Sequence, residues 1–150
     1  GNKAWLRNNQ IVITNAQGIW GLWLNASMQG EYTLQEENTF PNSFICLSES
    51  MKSQTEWMLI DKSSFKKMLN KHMQKAKEMD TMCLYGDRGK GIIQAKYLLK
   101  MIDVIESPSI AINPTMAFIK GSNGYAVIAG VRNPTAPYII GEQESGEIRN

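Results

Sequence analysis

A chain of 150 residues, 43% hydrophobic and 20% charged, is the size and composition of one globular domain with its own core. Its net charge of +2 is too weak a field to call for nucleic acid or anionic lipid. One histidine and two cysteines leave out a structural zinc site, which needs about four such ligands, and no apolar run is long enough to span a bilayer.

The chain opens on Gly1 rather than Met, followed by the polar stretch GNKAWLRNNQ. A signal or membrane anchor upstream of Gly1 is compatible with this start. Residues 8–34 read as strands. Ile11, Val12 and Ile13 are β-branched, and Asn15-Ala16-Gln17-Gly18 is a turn signal. Trp20 and Trp23 fall in the next apolar run, and the alternation from Trp23 to Leu34 predicts a strand with one wet face. Residues 35–43 predict a loop. FICLSES (44–50), carrying Cys46, and TEWMLI (55–60), carrying Trp57, predict two short strands.

From Asp61 the apolar period changes to that of a helix. Phe65, Met68, Leu69, His72, Met73, Ala76 and Met79 share one face, and Asp61 or Ser63 can cap the start. A helix over about 63–79 follows. TMCLYG (81–86) predicts a strand, and GIIQAKYLLKMIDVIE (91–106) a second helix stopped by Ser107-Pro108. SIAIN (109–113) predicts a short strand. Residues 115–131 predict a hairpin turning at Gly121-Ser122-Asn123-Gly124, and Tyr138, Ile139 and Ile140 an edge strand. The fold class expected is α+β: one domain over 1–150, with a mixed sheet, two main helices and a C-terminal hairpin. Residues 141–150, with Glu142, Glu144 and Glu147, are expected to be a flexible tail.

Gly-Asp-Arg-Gly-Lys-Gly (86–91) has the materials of a phosphate loop. Glycines let the backbone approach an anion, and a following helix N-terminus adds positive potential. Gly86, Arg88, Gly89, Lys90 and Gly91 are therefore a candidate anion site. The Walker spacing is absent, however, and Gly91 stands where a magnesium-binding Ser or Thr belongs. The expectation is a turn rather than a nucleotide site.

Serine or cysteine hydrolase chemistry would have to use His72, since there is no other histidine. A lone histidine in an apolar helical stripe reads as a packed residue, so an enzyme is not expected, and neither is a cofactor. Six lysines and no acid fall within 62–77, which reads as a solvated helix face. The aromatic residues are the better binding candidates. Trp20, Trp23, Met28 and Trp57 supply large or adaptable apolar groups for a partner or a small apolar ligand. Trp20 and Trp23, three apart in a strand, should point to opposite faces, one into the core and one partly available. Cys46 and Cys83 are compatible with two buried thiols or with one disulfide, worth roughly 3–4 kcal/mol. The disulfide is the expectation in an oxidising compartment.

The segment IDKSSFKKMLNKHMQKAKEMDTMCLYGDRGKGIIQAKYLLKMIDVIESPSIAIN (60–113) runs helix, strand, acidic residue, helix, strand. From Asp61 on it resembles the extracytoplasmic domain of the ExbD/TolR type, with Asp87 after the strand and Lys100-Met101-Ile102-Asp103 closing the second helix. By overall profile alone, the chain is also similar to small periplasmic partners of ToxR-type membrane regulators. These resemblances imply a non-enzymatic, periplasmic domain, membrane-anchored in full length, that binds an envelope protein such as a membrane-bound regulator. A cytosolic anion- or nucleotide-binding module using 86–91 is the alternative, and a small hydrolase using His72 a third reading.

Overall fold

A computed structural model describes residues 2–25 and 32–141. The chain starts with three antiparallel strands, β1 (Lys3–Arg7), β2 (Gln10–Thr14) and β3 (Trp20–Asn25). Asn8 and Asn9 join the first two, both with positive φ (49° and 60°). That is the two-residue hairpin turn whose twist matches the strands, and asparagine tolerates it best after glycine. The polar start of the chain therefore contains a strand that its composition hides.

Helix α1 (Asn42–Lys52) follows. The predicted strand at 44–50 is instead the body of this helix. Phe44, Leu47 and Met51 recur at helical spacing and pack against one apolar cluster. The predicted strand at 55–60 shrinks to β4 (Met58–Leu59). Helix α2 (Lys62–Glu78) is where the periodicity puts it, capped by Asp61, which accepts the Ser64 N–H at 3.1 Å.

Strands β5 (Met82–Asp87) and β6 (Gly91–Gln94) form a hairpin, and helix α3 (Ala95–Val104) begins only after it. The expected helix over 91–106 loses its first four residues because Ile92 and Ile93 pair with Gly86 and Tyr85 across the hairpin. Strand β7 (Ser109–Ile112) leads to the predicted hairpin, β8 (Met116–Gly121) and β9 (Gly124–Ala129), and β10 (Pro137–Ile139) is the last strand of the described residues.

The strands form two sheets. The larger is antiparallel, in the order β1-β2-β3-β9-β8-β7-β4, and the smaller is β10-β5-β6, with β10 parallel to β5. The fold is α+β, and the described residues form α1 in addition to the two expected helices.

Strand alternation splits the apolar residues of the large sheet between its faces. On one face Trp20, Leu22, Ile119 and Ile128 pack against Leu69 of α2 and Leu98, Met101 and Ile102 of α3. On the other, Trp5, Val12, Trp23, Phe118 and Val127 pack against Phe40 and Phe44. The small sheet adds Leu84, Ile92 and Ile139 as a third cluster. The hairpin turn between β8 and β9 locks onto the end of α3. Asn123 donates to the Val104 carbonyl at 3.0 Å, a group that a helix end leaves open, and accepts the Glu106 N–H just past it at 2.8 Å.

Candidate functional site

The expected aromatic surface is mostly interior. Trp20 and Trp23 do leave β3 on opposite faces, but their exposures are 3% and 4%. Both faces of the sheet are covered by helices, so neither tryptophan is available to a partner. Met28 lies outside the described residues. Trp57 differs. It is half-buried just before β4, donates its Nε1–H to the Gln54 carbonyl at 2.9 Å, and carries the Lys120 ammonium 4.2 Å from its ring centroid.

Residues 86–91 are not a strand-to-helix loop. They span the turn of the β5–β6 hairpin and the strand ends beside it, and the rest of β6 separates them from the N-terminus of α3. Asp87 occupies the loop's own donors, accepting the Gly89 N–H on Oδ1 at 2.8 Å and the Lys90 N–H on its carbonyl at 2.9 Å. Gly86 and Gly91 have φ of 133° and 150°, and a Cβ on either would come within 2.3 Å of a backbone oxygen. They serve a close chain crossing. A carboxylate at the centre of the loop and no helix dipole behind it make a poor phosphate cradle.

What the fold brings together is Trp57 and this loop. Between the edge of the large sheet and the β5–β6 hairpin lies a groove of about 450 Å³. Trp57, Met58, Tyr85, Ile110 and Ile112 form its apolar walls, and Glu56, Asp87 and Lys90 its polar rim. A second hollow of about 280 Å³, reaching Asn113 and Pro114, shares Glu56, Lys90 and Ile112 with the first. The Lys90 ammonium and Glu56 carboxylate meet at 3.6 Å where the two hollows adjoin. Both side chains are largely exposed, so this contact is weak and easily parted. Met58 and Leu59 stand 50% and 79% exposed beside it, on the last strand of the sheet. A larger hollow of about 680 Å³ lies beside α1, between Trp5, Phe44 and Leu47 and the turn at 15–18.

The cysteines are not joined. Cys46 is exposed on α1 and Cys83 is half-buried on β5. Phe44 and Leu47, its neighbours on α1, pack on one side of the large sheet, and Cys83 packs into the core on the other. The sheet between them replaces the expected disulfide with two free thiols. Burial pushes the Cys83 thiol up to about 11. His72 is 4% exposed, and its Nδ1 lies 2.7 Å from the Tyr138 hydroxyl. The base of the hydrolase reading is thus packed inside the α2 core. Among the described residues no three His, Cys, Asp or Glu side chains gather as metal ligands, and no helix is long and apolar enough to cross a membrane.

The groove was only partly visible in the sequence. Trp57 and 86–91 stand out in the sequence for separate reasons, and nothing local in either segment says that they meet. No family model, curated protein or solved structure matches the chain.

Proposed function

We propose that this chain is a non-enzymatic binding domain that receives a partner protein in the groove between its two sheets. The observation that carries the reading is the apolar groove at Trp57 and Tyr85 continuing onto the exposed Met58 and Leu59 of an edge strand. Apolar side chains on an unpaired edge invite another chain and are usually blunted by charge. A setting in the bacterial envelope is part of the proposal. It rests on the helix–strand–Asp87 pattern of 61–113 and not on the thiols. The anion-binding alternative is weaker, because Asp87 holds the loop amides that an anion would need.

A photo-crosslinking amino acid placed at Leu59, and separately at Lys71 on the exposed face of α2, tests the surface in the cell that makes the protein. The expected result is one major protein adduct from position 59, lost when Trp57→Ala is added to a variant that still melts cooperatively. Adducts from position 71 alone would move the interface to the lysine-rich helix. Labelling of the exposed Cys46 by a membrane-impermeant maleimide in intact cells tests the envelope setting. Labelling only after lysis would refute it.

A further inference from the structure

We infer that the groove recognises an extended backbone, added as a strand beside Ile112 in line with β4. This rests on the binding reading above and specifies its mode. The argument is one of ladder parity. In an antiparallel ladder, alternate residues point their N–H and C=O to opposite sides. The Asn113 N–H donates to the Met116 carbonyl, so Asn113 faces β8. The Ile60 N–H donates to the Pro108 carbonyl, so Pro108 faces β4. Between them, Ile110 and Ile112 must face the β4 side. Met58 pairs with Ile110, and there β4 ends. The register would put Glu56 opposite Ile112, but no strand continues to it and no backbone hydrogen bond from 54–57 reaches Ile112 among the described residues. Ile112 therefore presents an N–H and a C=O to the hollows that it lines.

Such a donor–acceptor pair, one strand spacing from an existing strand, is complementary to another extended backbone, the basis of recognition by strand addition. The register is narrow. Met58 occupies the position before it, and Pro114, the next residue facing that side, has no N–H to give. One residue of the incoming strand thus pairs with Ile112. Its side chain falls on the face shared by Ile110 and Ile112, toward Tyr85 and over Gly86. An apolar residue is favoured there. Its neighbours in the strand meet the rim, where parting the weak Lys90–Glu56 contact leaves one charge of each sign to pair with them.

A display library of random octapeptides selected on the folded domain supplies the probe. The expected winners carry an apolar residue between polar ones and slow the exchange of the Ile112 amide. N-methylating the one peptide amide that faces the Ile112 carbonyl should weaken binding roughly tenfold, the loss of about one well-formed hydrogen bond. N-methylating the next amide, which points away, should change it less than about twofold. Equal effects of the two methylations, or unchanged Ile112 exchange while Tyr85 and Trp57 resonances shift, would overturn strand addition and leave the groove as a binding site. Concentration-dependent dimerisation abolished by Ile112→Pro would make a second copy the occupant and also overturn it, as would Ile112 protection in the free chain that disappears on truncation after Gly141. No selected peptide and no crosslink at position 59 would end both readings.

Discussion

Trp20 and Trp23 leave one strand in opposite directions, and each ends in a different core. Trp20 lies beneath the Lys100 ammonium, 4.4 Å from its ring centroid, on the side of α3. Trp23 is stacked on Tyr125 at 4.9 Å and meets Phe44 edge-on at 5.7 Å. Truncating either opens a large hole in a packed interior. Trp20→Ala and Trp23→Ala are each expected to destabilise the domain by about 3–5 kcal/mol. Urea unfolding followed by circular dichroism measures both. A near-neutral result for one would mean that its side of the sheet is loosely covered.

The glycines of 86–91 should separate by geometry rather than by motif. A Cβ on Gly91 would sit 2.2 Å from the Asn113 carbonyl oxygen, at a φ of 150°. A Cβ on Gly89 would meet nothing closer than 3.4 Å, the distance to Asp87 Oδ1. Gly91→Ala should cost about 2 kcal/mol or more, as strained backbone positions do, and Gly89→Ala within about 0.5 kcal/mol. Equal and small effects in thermal melts would contradict the close crossing of the β5–β6 hairpin over residue 113.

The His72–Tyr138 contact ties the last strand to α2 from inside. Tyr138→Phe keeps the ring and removes one partner of a buried hydrogen bond. The expected loss is about 1–3 kcal/mol. The same substitution should leave groove binding unchanged, because neither residue lines the groove. Denaturant midpoints and peptide titrations of the one variant check both statements.

Thiol chemistry distinguishes the two cysteines. Denatured, unreduced protein should titrate two free thiols. In the folded protein Cys46 should react with a disulfide reagent near pH 8 well before Cys83, whose half-buried thiol is held neutral up to about pH 11. The linkage has a definite sign. A thiol at about 11 in the fold and 9.0 unfolded adds stability that is complete below pH 9 and is lost as pH rises through 11. Cys83→Ser should flatten the fall in stability over that window. A parent whose stability is already flat there would exclude this origin.

Long periodic segments were legible and short ones were not. Helix α2 shows the helical period over four turns, and the β8–β9 hairpin announces its own turn, so both lie within a residue or two of their expected bounds. Helix α1 is masked in the sequence because Ile45 and Cys46 make 44–50 look continuous, although the spacing of Phe44, Leu47 and Met51 holds the helical signal. Residues 91–94 look like the start of α3 because Ile92 and Ile93 suit either structure. Their pairing with β5 is a tertiary decision, made by a hairpin whose tight turn a single strand cannot reveal. The groove was illegible for the same reason. Its walls come from residues 56–58, 85–90 and 110–112, and only the topology puts them side by side.

Because the large sheet is a wall with a separate apolar cluster on each side, the molecule can open one side without the other. Helix α1 is the weaker cover. It has one buried side chain, Phe44, and no side-chain cap at its start, whereas α2 and α3 share the larger interior. Its release would bare Trp23, Trp5 and Phe118 while leaving every strand paired. The protein should thus possess a sub-globally open form, reached at a lower free energy than complete unfolding. Native-state amide exchange should report it as early exchange in α1 against slow exchange in β8 and β9.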